Sequence, residues 1–282
     1  MQVRKTVSTV SFALVLLACA PAQAQESPST PQLSLGLKLW NASWLSYLPA
    51  NYVAAGPNGQ VVPADVINSV EGGRRTSALP QLGVRYGKLF ASASYGRFTS
   101  DFAVLNSPIA TQAGTQVTSR TDHFVRRESD LTLGYFVLPQ VALTVGYKYA
   151  IESRDVRAPS SAPSQPLLEN RARGALAGIV GNFPVQGELS AYVQAGYGPA
   201  RISTRSAGNS IAPIDAHGSY LISEIGLSYP LLINQYGVRA AAAAIGYRSQ
   251  TVKTESYGII YHENRRLRDV RDGLVLSLNV AL

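Results

Sequence analysis

Between residues 131 and 151 the chain alternates. Leu131, Leu133, Tyr135 and Val137 take every second position, and Val141, Leu143, Val145, Tyr147, Tyr149 and Ile151 do so again. A period of two is that of a β-strand. The intervening Leu138-Pro139-Gln140 leaves room only for a hairpin turn. The alternate face carries Thr132, Gly134, Thr144, Gly146, Lys148 and Glu152, too polar for a soluble sandwich core. Apolar outside and polar within is the pattern of a strand that faces lipid.

The same reading places further strands on both sides of this hairpin. Residues 32–43 put Leu33, Leu35, Leu37 and Leu39 outward and Ser34, Gly36 and Lys38 inward, with Trp40, Trp44 and Tyr47 expected at the membrane interface, where amphipathic rings collect. Residues 79–86 and a strand opening at Leu89 are joined by a tight Gly87-Lys88 turn. Residues 173–183 form the strand with the least distinct faces, because Gly and Ala blur them. Strands over 189–197, 221–229, 241–247 and 274–282 follow, the last with Leu274, Leu276, Leu278, Val280 and Leu282 outward.

Long and short connections alternate strictly. The expected long loops are 48–77, 97–126, 153–170, 201–216 and 251–266, and Pro57-Asn58-Gly59 suggests a small hairpin in the first. Short periplasmic turns and long external loops are a habit of membrane barrels. The expected fold is therefore all-β: a single transmembrane antiparallel up-and-down barrel of ten strands over residues 25–282, with eight or twelve as alternatives. Once the apolar faces are fixed, Gly36, Gly83, Gly96, Gly134, Gly146, Gly196, Gly226, Gly246 and Gly273 all fall inward. A register slip of one residue would destroy that coincidence.

Residues 1–24 carry a basic start at Arg4 and Lys5, an apolar segment and an Ala22-Gln23-Ala24 site, which reads as a secretory signal cleaved after Ala24. Cleavage there removes Cys19, the single cysteine, and suits an oxidising periplasm. The alternative is that Leu16-Leu17-Ala18-Cys19 is a lipobox and Cys19 a lipidated N-terminus. The formal charge of +8 would suit nucleic acid, but an exported chain meets lipid phosphates instead. No apolar run is long enough for a transmembrane helix.

Together the signal, the alternating strands and the C-terminus resemble Gram-negative outer-membrane β-barrel proteins. Arg271, Gly273, Leu276 and Leu278 fit the signal read by the barrel-assembly machinery, although the chain ends in Leu282 where such proteins end in Phe or Trp. The resemblance implies the outer membrane as location, and lipopolysaccharide and the assembly machinery as partners.

Enzymatic barrel families are tested by their site residues. Omptin-like proteases need paired Asp residues and an Asp–His pair; here Asp122 and His123 are adjacent, so their side chains diverge on a strand, and His262 stands in a loop. Lipid A deacylases use a His-x-Ser pair with an acidic partner. His217-Gly218-Ser219 has the spacing, but Glu224 lies at the opposite parity. No Cys or His cluster offers metal ligands, and no phosphate loop precedes a helix, so no cofactor or metal is expected and the chain is read as a non-enzyme.

The inward polar set is Lys38, Arg85, Lys148, Glu152, Glu224, Arg248 and Arg271, expected to line a narrow, anion-leaning lumen or to pair and plug it. Arginines at the strand ends, Arg126, Arg127, Arg171 and Arg173 foremost, are expected to meet lipopolysaccharide phosphates. The functional expectations are a narrow solute channel, or an adhesion or envelope-structural barrel acting through its loops.

Overall fold

The computed structural model describes residues 30–46, 70–105, 109–111, 114–116, 119–155, 166–206, 214–235, 238–254 and 267–282. Its elements in chain order are β1 (Gln32–Ser46), β2 (Val70–Tyr86), β3 (Leu89–Leu105), β4 (Ile109–Thr111), β5 (Gly114–Gln116), β6 (Ser119–Leu138), β7 (Val141–Asp155), β8 (Pro166–Gln186), β9 (Leu189–Ser206), β10 (Ile214–Gln235), β11 (Val238–Thr254) and β12 (Leu267–Ala281). All but β4 and β5 join one closed antiparallel barrel of ten strands, in which β1 pairs with both β2 and β12. The small β4–β5 hairpin stands apart between β3 and β6.

The expected register holds. Leu33, Leu35, Leu37 and Leu39 are exposed on β1, as are Leu131, Leu133, Tyr135 and Val137 on β6 and Leu274, Leu276 and Leu278 on β12. Closure matches like with like, pairing Leu37 with Leu278 and Leu39 with Leu276. Turns at Gly87 and Gly187 use φ of 60° and 58°, a left-handed conformation that favours glycine.

Three expectations need correction. The strands are longer than the apolar pattern indicates: β2 begins at Val70, β3 runs to Leu105, β6 begins at Ser119, β8 spans Pro166–Gln186 and β12 begins at Leu267. Alternation marks only the lipid belt; beyond it both faces of a strand are polar and the sequence resembles a loop. Second, Trp40 and Trp44 are not interfacial. Both share the parity of Lys38 and lie buried inside the barrel. Third, the interior is not polar alone: Phe90, Phe98, Phe102, Phe124, Phe136, Tyr192 and Tyr220 are buried among its charged and polar side chains. The leader, Cys19, Tyr47, His262 and the turn at Pro57-Asn58-Gly59 lie outside the described residues.

One seam of the wall is irregular. The β2–β3 ladder runs from Tyr86 and Leu89 to Gln81 and Ser94, then forms no pair until Gly72 meets Phe102. Pro80, which has no N–H to donate, is the next residue beyond Gln81. Behind the seam Leu79 and Phe98 pack with Trp40. Across it the Ser100 hydroxyl donates to the Gly73 carbonyl at 2.9 Å.

Candidate functional site: the filled lumen and the outer arginine rows

Alternation carries one residue in two into the lumen, and in a barrel of ten strands those side chains reach one another. At one level Glu224 of β10 is the hub. Lys38 of β1 donates to both of its carboxylate oxygens at 2.8 Å, Arg248 of β11 donates at 2.9 Å and the Tyr192 hydroxyl of β9 at 3.1 Å. Val180 and Ala244 pack beside Tyr192.

A second hub is Glu128 of β6. It accepts from Arg126 at 2.5 Å, from Gln250 at 2.9 Å, from Lys148 at 3.0 Å and from Arg271. Gln250 is on β11 and Glu128 on β6, five strands apart in either direction round the barrel. Arg126 also donates to Asp269 at 2.8 Å, and Trp44 donates its indole N–H to the same carboxylate at 3.0 Å. Ser46 of β1 donates to Glu152 of β7 at 2.8 Å. Lys148 completes its set with Asp130 at 2.5 Å.

Aromatic rings fill the space between the charges. Arg271 lies 4.0 Å from the Phe98 ring centre and 4.9 Å from that of Trp40, with Arg248 5.2 Å from Trp40 on its other contact. Trp40 and Phe98 meet edge-on at 5.5 Å, and Trp44, Phe102 and Phe124 form a chain of edge-on contacts at 5.2 and 5.1 Å. Near the short turns Arg85 sits 4.7 Å over Phe136, which packs on Phe90.

The structure thus places Lys38, Lys148, Glu152, Glu224, Arg248 and Arg271 buried inside the barrel and Arg85 half-buried at its turn end. It brings Lys38, Glu224 and Arg248 into one cluster. Sequence parity missed Glu128, Asp130 and Asp269, whose carboxylates answer the cations; their positions in expected loops or strand edges concealed them. Five cations (Lys38, Arg126, Lys148, Arg248, Arg271) face five carboxylates (Glu128, Asp130, Glu152, Glu224, Asp269) within these networks. The expected excess of positive charge in the lumen is absent from this set.

Arg126 corrects a second expectation. It was expected among the lipid-phosphate arginines but is buried in the lumen, because it has the parity of Glu128 and not that of Arg127. Arg127 and Arg173 do face outward and are exposed; Arg171 faces outward, half-exposed, and pairs with Glu169. Cross-strand register adds two arginines to them: Arg97 of β3 stands opposite Arg127, and Arg201 of β9 stands opposite Arg173.

The structure also separates the candidate catalytic groups. His217 and Ser219 face outward, whereas Glu224 points inward and is held by Lys38 and Arg248. His123 pairs across strands with Asp101, Nδ1 to Oδ1 2.7 Å, a partner that sequence adjacency to Asp122 concealed. The other Asp101 oxygen accepts from Arg75 at 2.8 Å, so this group ties β2, β3 and β6 together outside the lipid belt. The His123 hydrogen bond, with Arg75 assisting, holds the Asp101 carboxyl below the usual carboxylate range.

An apolar belt of exposed Leu, Val, Ile and Tyr encircles a closed antiparallel barrel whose interior is charged and aromatic. The chain has the fold of a transmembrane antiparallel β-barrel. No protein-family model matches the sequence, and no curated protein matches it. Solved structures match the chain at very low identity. The toluene transporter TodX of P. putida is 7% identical, with 96% of this chain and 98% of that one covered and a TM-score of 0.36. The outer membrane protease OmpT of Escherichia coli is 7% identical over 92% and 98%, with a TM-score of 0.43. A Pseudomonas aeruginosa FadL homologue is 9% identical over 89% of each chain, with a TM-score of 0.28. At these values no residue of the barrel can be equated with a residue of theirs.

Proposed function

We propose that this barrel is closed to solutes and acts from its outer surface and external loops, as an interaction or envelope-structural protein of the outer membrane. The observation that supports this is the contact of Gln250 with Glu128, two residues on opposite walls whose side chains meet in a lumen packed by Trp40, Phe98 and Arg271. An ion crossing it would have to break buried ion pairs, each of which leaves an uncompensated charge in a low dielectric. A cavity of about 60 Å³ beside Lys148, Gln194 and Arg248 has room for a few waters only. In this reading the chain is exported by cleavage after Ala24, and its C-terminal strand presents Arg271, Gly273, Leu276 and Leu278 to the assembly machinery.

The test is single-channel conductance of the folded protein in a planar bilayer. Silence from protein shown to be inserted is expected. Discrete steps with anion preference would overturn the reading and return the narrow channel lined by Lys38, Lys148 and Arg248. The protein is proposed to be a non-enzyme, since among the described residues no hydrogen bond joins the outward His217 to Ser219 or to Asp215, the acidic side chain on the same face. An unchanged lipid A mass profile in cells expressing it is the expected result.

A further inference from the structure

Two intact ladders flank the irregular seam of the wall. β2 is held to β1 from Gln32–Arg85 to Ala42–Arg75, and β3 is held to β6 from Leu89–Tyr135 to Leu105–Ser119. Between β2 and β3 no ladder pair forms from Gln81–Ser94 to Gly72–Phe102. The two sides of this gap do not match, since β2 takes one residue more than β3 to cross it. The same excess shows against β1, where Ser43 alone faces Gly73 and Arg74, between the pairs Ala42–Arg75 and Trp44–Gly72. β2 therefore carries a bulge at Gly73 and Arg74, a device that bends a strand and disrupts its pairing.

Side chains span the gap. Ser100 donates to the Gly73 carbonyl at 2.9 Å, and Arg75 donates to Asp101 at 2.8 Å. Arg75 stands opposite Ala42, which is buried in the lumen, so its register places it on the inner face. Its guanidinium nevertheless meets Asp101, on the outer face of β3, and its side chain is 59% exposed. A side chain that starts on one face and ends on the other runs between the strands. Beyond it, His123 of β6 lies 2.7 Å from the second Asp101 oxygen. Behind the seam lie Ser77, opposite Trp40, and then Leu79, Phe98 and Phe102, all buried.

We infer that the outer half of the β2–β3 seam is a lateral gate in the wall, with Arg75 as its bolt and Asp101 and His123 as the catch. Opening it parts the β1–β2 ladder from the β3–β6 ladder and breaks neither. It requires the loss of one exposed ion pair, one hydroxyl contact and the packing of Leu79 on Phe98. Exposed pairs are weakly held, and segments with few such ties open locally well before the whole fold does. The gate leads sideways to rings and aliphatic side chains, not down the axis, where Glu224 stays bound to Lys38 and Arg248. It presents an apolar surface to the outside without making an ion path. The inference does not rest on the lumen being closed to solutes, so conductance and gating can fail independently.

The test is the reaction of single cysteines with a charged maleimide, in the folded barrel in detergent carrying Cys19→Ala. Ser77→Cys probes a buried position behind the seam. Ala150→Cys probes a buried position on β7, where ladders to β6 and β8 run on both sides. Both should react slowly. Adding Arg75→Gln, or Asp101→Asn from the other strand, should speed the reaction of Ser77→Cys roughly fivefold, the scale set by an exposed ion pair, and leave Ala150→Cys unchanged. Both of these side chains reach solvent, and the heat-modifiable band on a semi-native gel reports that each variant is folded. No acceleration of Ser77→Cys in either folded variant would overturn the gate. Equal acceleration of both cysteines would also overturn it, because the reagent would then be entering by the mouth of the lumen or through a generally loosened fold.

Discussion

Gln250 and Glu128 stand on strands five apart in either direction round a ring of ten, yet the Gln250 amide donates to the Glu128 carboxylate at 2.9 Å. Glu128 therefore works as a central tie, since Arg126, Lys148 and Arg271 converge on the same group. Its removal leaves three buried cations to share Asp130, Glu152 and Asp269. Breaking a buried ion pair from one side costs about 3–5 kcal/mol. Glu128→Gln is expected to lose stability on that scale, read as a lower urea midpoint for the barrel folded in lipid vesicles. A midpoint equal to that of the unmodified protein would show that the network carries little of the fold.

Trp40 fills the space between the two charge clusters. It is fully buried, meets Phe98 edge-on and lies under the guanidiniums of Arg248 and Arg271. Trp40→Ala should cost about 3–5 kcal/mol, as for other large-to-small core changes. Trp40→Phe should cost less, because a ring face remains for the guanidiniums. The same vesicle unfolding measurement ranks the two, and equal losses would remove the cation–ring contacts from the account.

Much of this was legible in sequence, for a physical reason. Lipid demands apolar residues at alternate positions, so Leu33 to Leu39 and Leu131 to Val137 declare both the outward face and, by parity, the inward one. Lys38, Lys148, Glu224 and Arg248 were recognisable as interior residues that way. Their partners were not, since Lys38 and Glu224 are 186 positions apart and meet only through barrel closure. Parity without an apolar signal fails next. Arg126 and Arg127 look alike in a polar stretch, yet one enters the lumen and the other faces out. Trp40 misled for the opposite reason, an interfacial residue type at an interior parity.

Asp101 ties the seam beyond the lipid belt, between His123 of β6 and Arg75 of β2. Its carboxyl is held below the usual range, so it contributes stability above the unfolded carboxylate pKa of about 3.9 and loses it as pH falls through the lower folded value. The side chains are substantially exposed, so the effect is local and modest. Hydrogen exchange at the outer end of β2 and β3 is expected to accelerate below about pH 4 in the unmodified protein. Asp101→Asn should exchange faster already at neutral pH and lose the acid step. An acid step that persists in Asp101→Asn would assign it to another group.

Gly273 tests how the barrel closes. It lies on β12 opposite Ala42 of β1, and a Cβ there would stand 1.9 Å from the Asn41 carbonyl oxygen and 2.7 Å from the Ala42 Cα. Both obstacles are backbone of the neighbouring strand, which cannot swing away as a side chain can. The close approach of β1 and β12 is the last contact that turns a sheet into a barrel, so one methyl group at this position opposes closure itself. Gly273→Ala should therefore lower the folded fraction sharply, seen as loss of the fast-migrating, heat-modifiable band on a semi-native gel. Gly73→Ala is the matched control: no atom lies within 4 Å of its Cβ, and its effect should fall within about 0.5 kcal/mol of zero. Equal folded fractions for the two variants would mean that β1 and β12 can part enough to accept the methyl. The closing seam would then be softer than its continuous ladder from Ser34–Ala281 to Leu45–Val270 indicates.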